Sequence, residues 1–369
     1  MAIDVLANIA ANIPQIFASD GVRLWNREAP LLSKVRHEQG IASAVNWTVT
    51  NGGNTAVNPG EGDDIQSTEY NQDNRIAMTL GRGIYRSSFG FTHTELGVVQ
   101  TMRPDMAADL IRDRLKDAYL EGLAKLANTI EQNMLTGTGT VTSPLGNPVN
   151  NVVGLLNALK TTGTYAGQNV ATYSGLQANI QTGVGNITRP VLDLAFSQIE
   201  QNTGTTPDFI MCSPSTARYI KGIADSQVRF FTDQQMREIN NISQAPSSMG
   251  NSIMSYNGVP VFQNSAWYQA SISGGGNGDG YVVLGRFQDL AVDFIRYDAW
   301  GDAVTDRQAD MNSSNGEAIE QIGGLPVKVY AVAKTGSSVK FAMEVELQMK
   351  VKRPNAFALL TGVTGFTAS

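Results

Sequence analysis

Cysteine is all but absent from this chain: Cys212 stands alone, so no intrachain disulfide can form. It sits in the apolar run Phe209-Ile210-Met211-Cys212 and reads as a buried, inert thiol. Histidine is almost as scarce. His37 and His93 are the only two, and neither falls in a metal-ligand spacing such as HExxH. Both read as ordinary polar residues. No CxxC, no GxSxG elbow and no GxxxxGK[ST] phosphate loop occurs, which removes the common local signatures of redox, acyl-transfer and nucleotide chemistry. Charge is sparse at 16%, and the formal net charge is −6. No Lys/Arg-rich run is present, so the electrostatic stripe with which proteins grip nucleic acid is missing. No stretch approaches the ~18 consecutive apolar residues of a membrane span. The first 17 residues carry Asp4, and no Lys or Arg occurs before Arg23, unlike a secretion signal. The expectation is a chain made and folded in a reducing cytoplasm.

What is present is enough apolar material, 42% of 369 residues, to build two or three domain-sized units. Ile3, Leu6, Ile9, Ala10 and Ile13 follow helical spacing up to Pro14, a small apolar face that needs another surface to lie on. Trp47-Thr48-Val49-Thr50 reads as a strand, and Arg75 to Glu95 as a second extended run. Between them lies a polar tip rich in Gly and Asn that carries Glu61, Asp63, Asp64, Glu69 and Asp73. Adjacent carboxylates on such a tip suit a solvated or partner-facing patch better than hydrolysis, which needs two acids facing across a cleft. Pro104 opens a long helix, with Ile111, Leu115, Tyr119, Leu123, Leu126, Ile130 and Met134 at steps of three or four, and Gly137 ends it. At about 1.5 Å per residue this helix spans roughly 48 Å. Gly122 is its candidate point of bending.

Further on, residues 190 to 203 and 215 to 223 read as helices around a strand at Phe209 to Cys212. More strands are expected at Val259 to Phe262, Tyr281 to Leu284, Leu290 to Ile295 and Val327 to Lys334. Ser273-Gly274-Gly275-Gly276-Asn277-Gly278-Asp279-Gly280 faintly resembles a calcium-binding nonapeptide, but it occurs once and reads as a turn. The sharpest pattern comes last. Val339, Phe341, Met343, Val345, Leu347, Met349 and Val351 alternate with mostly polar residues. This period of two marks a strand about 43 Å long, against a usual length of ~5–6 residues. A long helix and a long strand, each with one apolar face, can cover one another in an elongated slab.

The order of elements, and several short motifs, resemble the major capsid proteins of tailed bacteriophages, with the Hong-Kong-phage-type (Johnson) fold. The motifs are Tyr165-Ala166-Gly167 with Thr172-Tyr173; Pro207-Asp208-Phe209-Ile210-Met211-Cys212-Ser213-Pro214; Gly258-Val259-Pro260-Val261 with Asn264-Ser265; Gly280-Tyr281-Val282-Val283-Leu284-Gly285 with Phe287; and Arg353-Pro354-Asn355-Ala356-Phe357. The resemblance implies an α+β fold with an N-terminal arm (1–41), an extended β-hairpin loop (42–97), a peripheral domain (98–185 and 336–369) whose spine helix, 104–135, packs on a long-stranded antiparallel sheet, and a mixed α/β axial domain (186–335). It implies self-assembly as pentamers and hexamers into an icosahedral shell in the host cytoplasm. That shell would enclose double-stranded DNA without sequence-specific binding and become the virion capsid. No cofactor, metal, membrane or catalytic residue is implied.

Portal, scaffolding and decoration proteins are the further partners that the resemblance suggests. The chain begins at the arm, so a scaffold is expected from another chain or from a removed segment. Candidate contacts with neighbouring subunits are Trp47, Glu61, Asp63, Asp64, Glu69, Asp73, Arg75, Arg82 and Arg86. Some members of the family crosslink neighbours through a loop lysine, but no Lys lies between Lys34 and Lys116 here. Two other readings stay open at this point: an encapsulin-like compartment shell and a soluble hydrolase.

Overall fold

In a computed structural model of the chain, the described residues are 30–40, 44–50, 75–92, 104–142, 148–224, 255–272, 276–295, 327–332 and 338–366. The expected arm helix, the hairpin tip, His93 and the loop from Asp225 to Asn251 lie outside them.

The alternating sequence near the C-terminus forms one strand, Ser338–Val351. Its odd-numbered apolar residues from Phe341 to Val351 are all buried. Gly83–Thr92 runs antiparallel along one edge, from Thr92 opposite Ser338 to Gly83 opposite Leu347. The other edge is shared end to end by Lys328–Val332 and Leu290–Ile295. Arg36–Gly40 completes the sheet, parallel to Leu290–Ile295. The polar alternation suggests a solvated second face, but Gln348 and Lys350 are buried as well. Pro148–Val153 passes over this end of the strand. The Gln348 side chain serves it by accepting from the Val153 N–H and donating to the carbonyls of Gly81 and Asn151. A buried amide in a strand is stable only with its polar atoms partnered.

The spine helix is Pro104–Thr136. At about 1.5 Å per residue it is roughly 50 Å long, matched to the long strand at about 3.3 Å per residue. Tyr119, Leu123, Leu126, Ala127, Ile130 and Met134 are buried on its inner side, while Ile111 and Leu115 lie among the residues whose side chains are not described. Phe89 stacks on Phe341 at 5.4 Å and meets Tyr119 edge-on at 6.3 Å, which joins the long strand and its Gly83–Thr92 neighbour to the helix. Gly122 has a role other than bending. A Cβ there would come within 2.3 Å of Met343 Cε, so glycine lets the unbroken helix press onto the sheet.

A second sheet has the strand order Ser255–Tyr256, Val259–Gln263, Phe209–Cys212, Val282–Gly285, Ala358–Leu360, Asn179–Gln181. Phe209–Cys212 lies near its centre and is buried throughout, as a short continuous apolar run in a sheet covered on both faces should be. Ile210 and Cys212 point into a core shared with the helices Arg189–Thr203 and Pro214–Ala224. Phe209 and Met211 point into the core that includes the spine helix. Burial raises the Cys212 thiol far above its ordinary pKa, which agrees with an inert thiol.

Strand pairing crosses the boundaries expected from sequence. Gly83–Thr92 belongs to the long sheet and not to the hairpin. Arg36–Gly40, Leu290–Ile295 and Lys328–Val332 also join the long sheet, whereas Asn179–Gln181 and Ala358–Leu360 join the second one. The reason is physical: these ladders link residues far apart in the chain, and no linear cut at a loop-rich segment can follow them.

Candidate assembly surface

The hairpin stem is real. Ala44–Thr50 pairs antiparallel with Arg75–Gly81, from Ala44 opposite Gly81 to Thr50 opposite Arg75. Ile76, Met78 and Leu80 alternate inward and are buried, and Arg75, Ala77 and Thr79 alternate outward and are exposed. The stem therefore lies on the body by one face. Its open end, Thr50 and Arg75, leads into residues 51–74. Glu61, Asp63, Asp64, Glu69 and Asp73 belong to that tip, outside the described residues. Trp47 is half-buried against the main core, with its ring 6.2 Å from that of Tyr165. Arg86 is well exposed and sends Nε and Nη2 to Glu344 Oε2 at 2.9 and 2.7 Å across the long sheet.

Arg82 does not fit a contact with a neighbour. It occupies the break between the stem and Gly83–Thr92, only 4% exposed, and pairs with Asp293 inside the chain. Around this pair a cluster of charges fastens three strands. Lys350 and Lys352 both reach Glu38, the latter at 2.6 Å, and Asp293 lies 3.9 Å from Lys350. Glu38 and Asp293 are side by side in the ladder. Like charges in that register repel, so the cations between them are needed to hold it. Burial pushes the Glu38 carboxyl up, but Lys350 and Lys352 outweigh it and leave the group below its ordinary value.

Two further polar centres escaped the reading of motifs. Glu131, from the spine helix, is fully buried. Its carboxylate accepts from the N–H groups of Leu31 at 2.8 Å and Leu32 at 3.1 Å, and from Asn264 Nδ2. It thereby caps the short helix Pro30–Lys34. Asn264 in turn donates its backbone N–H to Cys212 and accepts from the Ala266 N–H, so one carboxylate ties the short helix and the second sheet to the spine. The signal was available: Glu131 follows Ala127 by four residues and Ile130 by one, and it is a charged residue on the apolar stripe. The second centre is Asp279, from the Gly-rich turn. It accepts from the hydroxyls of Ser213, Ser215 and Thr216 at the start of helix Pro214–Ala224. Burial pushes this carboxyl up, but those hydroxyls and the Gly280 N–H bring it below its ordinary value. The turn caps a helix, a stabilising place for a negative charge.

Among the described residues, these polar centres bond to helix ends and strands of the chain itself. Among the described residues, no three His, Cys, Asp or Glu side chains are placed to hold a metal ion, and no helix is long and apolar enough to cross a membrane. A shallow hollow of about 520 Å³, lined by Leu156, Leu159, Lys160, Ile180, Tyr281 and Leu359, presents one amine and no carboxylate. What the described residues show instead is a two-stranded stem lying by one face on a body built of one long helix and one long strand. The family profile described as SU10 major capsid protein matches residues 22–258, more than half of the chain.

The chain belongs to the SU10 major capsid protein family. It is a structural protein and not an enzyme, and copies of it form the icosahedral head of the phage virion. That choice removes the compartment and hydrolase readings. Solved capsids share the fold. The capsid asymmetric unit of cyanophage A-1(L) superimposes with a TM-score of 0.59 at 15% identity, over 91% of this chain and 93% of that one. The capsid of an empty GTA particle gives 0.52 at 11% identity, over 90% and 95%. No curated protein matches the sequence. The capsid subunit thus has the phage major-capsid fold that the resemblance implied, with helices and strands mixed along the chain.

Proposed function

We propose that the hairpin is the clamp between capsid subunits, with the acidic tip lying on a basic surface of the neighbour. The observation that carries this reading is the stem. It is a two-stranded sheet of its own that opens, at Thr50 and Arg75, into residues 51–74. That segment holds Glu61, Asp63, Asp64, Glu69 and Asp73 and no Lys or Arg. Such a tip gains little from its own apolar core and more from an oppositely charged partner, which fixes register as much as it adds affinity. Trp47, Arg75 and Arg86 sit on or beside the stem and belong to the same contact, whereas Arg82 acts within the subunit.

In this reading the spine helix and long sheet form a peripheral unit, and the second sheet with its two helices forms an axial one. Subunits gather as pentamers and hexamers around double-stranded DNA held without sequence preference. Portal, scaffolding and decoration proteins are the expected further partners. Replacing residues 54–70 by a short Gly-Ser linker tests the clamp. The subunit should stay soluble with an unchanged circular-dichroism melt. Assembly should fail, or give shells that fall apart at raised salt, where exposed charge pairs are screened. Shells as salt-resistant as the parent's would show that the tip clamps nothing.

A further inference from the structure

The segment Thr164–Asn169 is a minimal hairpin: Thr164 faces Asn169, Tyr165 faces Gln168, and Ala166-Gly167 makes the turn. Both turn residues have positive φ, 48° at Ala166 and 82° at Gly167. A two-residue turn of this hand requires that conformation, which glycine adopts freely and alanine rarely does. A non-glycine residue held there persists only where its surroundings over-determine it.

The surroundings are the hairpin stem on one side and the long strand on the other. The Thr79 N–H donates to the Ala166 carbonyl at 3.0 Å. Gln168 Nε2 donates to the Ala77 carbonyl at 2.8 Å. Ala77 and Thr79 are two apart, so these groups share one edge of the stem strand, the edge that does not face Ala44–Thr50. Trp47 from the paired strand lies on the Tyr165 ring. The Tyr165 hydroxyl donates to the Val351 carbonyl at 3.2 Å and accepts from the Val351 N–H at 2.9 Å. Gly83–Thr92 stops pairing with the long strand at Leu347, and beyond that point the buried tyrosine hydroxyl takes the place of a neighbouring strand. The turn therefore touches the stem with its backbone and Gln168, and the end of the long strand with Tyr165.

From this arrangement we infer that the Tyr165–Gln168 turn is the positioning device that aims the hairpin, by locking the stem's edge to the end of the long strand. The break at Gly81-Arg82-Gly83 leaves the stem free of the long sheet's own ladder, so its direction must be set from elsewhere, and the turn supplies a second fixed point. Rested on the clamp reading above, the inference is that this lock sets the angle at which each subunit reaches its neighbour, and hence the uniformity of the shell. Tyr165 and Gln168 are positioning residues that act through the stem.

Two variants of the full chain test it. Gln168→Ala removes a bond on the exposed side of the stem and leaves the core intact. Tyr165→Phe keeps the ring on Trp47 and removes both bonds to Val351. Amide exchange at Thr79 in the unassembled subunit should speed up severalfold to about tenfold, the effect of losing one net hydrogen bond, while ladder amides such as those of the long strand stay protected. Gln168→Ala should melt like the parent yet give shells of mixed size or curvature by electron microscopy. Unchanged exchange at Thr79 in Gln168→Ala overturns the lock, whatever the shells look like. Faster exchange with shells of parental size and uniformity overturns its role in aiming the hairpin. Failure of the clamp reading itself appears elsewhere, as normal salt-resistant shells from the chain lacking residues 54–70.

Discussion

Glu131 is fully buried, and its three donors come from Leu31, Leu32 and Asn264. Burial pushes its pKa from 4.5 up to about 7, against those hydrogen bonds, which lower it. A carboxyl raised on folding binds its proton more tightly in the folded state. The associated stabilisation is fully present below about pH 4.5 and is lost as pH rises through about 7. At roughly 1.4 kcal/mol per pH unit, the whole effect is on the order of 3 kcal/mol. His37 acts with the opposite sense. Burial lowers its pKa while its bond to the Leu32 carbonyl raises it, so it favours the folded state as pH rises. The measurement is therefore a difference: urea unfolding of the unassembled parent and of Glu131→Gln between pH 5 and pH 8. The parent should lose stability relative to the variant as pH rises, and parallel curves would show that Glu131 does not titrate there. This centre was legible only as an anomaly, a charge on an apolar stripe. Its partners come from residues about a hundred positions away in either direction, which no periodicity reveals.

The spine helix and the long strand were the most legible elements, because each carries one repeat without interruption. The strand was expected from Val339 and runs from Ser338; the helix was expected over 104–135 and runs Pro104–Thr136. The run from Arg75 to Glu95 was harder. Ile76, Met78 and Leu80 alternate cleanly, then Gly81-Arg82-Gly83 breaks the phase. Beyond it Ile84 is 58% exposed while Tyr85 and Phe89 are buried. One extended run was in fact two strands in two sheets. The packing of helix on sheet makes a firm prediction. Leu123 is 1% exposed beside Gly122, where the helix presses on Met343. Leu123→Asp would bury a charge without a partner and cost several kcal/mol. Expression should give insoluble or unassembled protein, and a normal yield of intact shells would refute the packing.

At the scale of the whole molecule, the two sheets exchange strands, so neither unit is a continuous piece of chain. The Arg353-Pro354-Asn355-Ala356-Phe357 motif marks the passage from the end of the long strand into the second sheet. Phe357 is fully buried beside Phe209, and the Asn355 carbonyl accepts from the side chains of Asn179 and Asn202. The motif was visible in the sequence, but the crossing it makes was not, since pairing partners are set by three-dimensional packing. Such a body holds its shape through its own core, and the links between bodies must come from their surfaces. Whether any of those links is covalent can be argued from lysine. An isopeptide bond needs a lysine amine on one partner, and no Lys lies between Lys34 and Lys116, a stretch that includes the entire hairpin. Lys34 itself is packed over the Phe262 ring, 4.5 Å from its centroid, and burial lowers its pKa. The hairpin therefore has no amine to offer a neighbour and cannot be the lysine side of such a bond. Mature particles boiled in detergent should run as a single band near 39.6 kDa, the mass of one chain. Raised salt should weaken the intact shell, because exposed charge pairs of this kind contribute only ~0–1 kcal/mol each and are screened. A ladder of multiples that survives both boiling and reduction would show that lysines outside the hairpin make the bond, and the clamp would then be only part of what holds the shell.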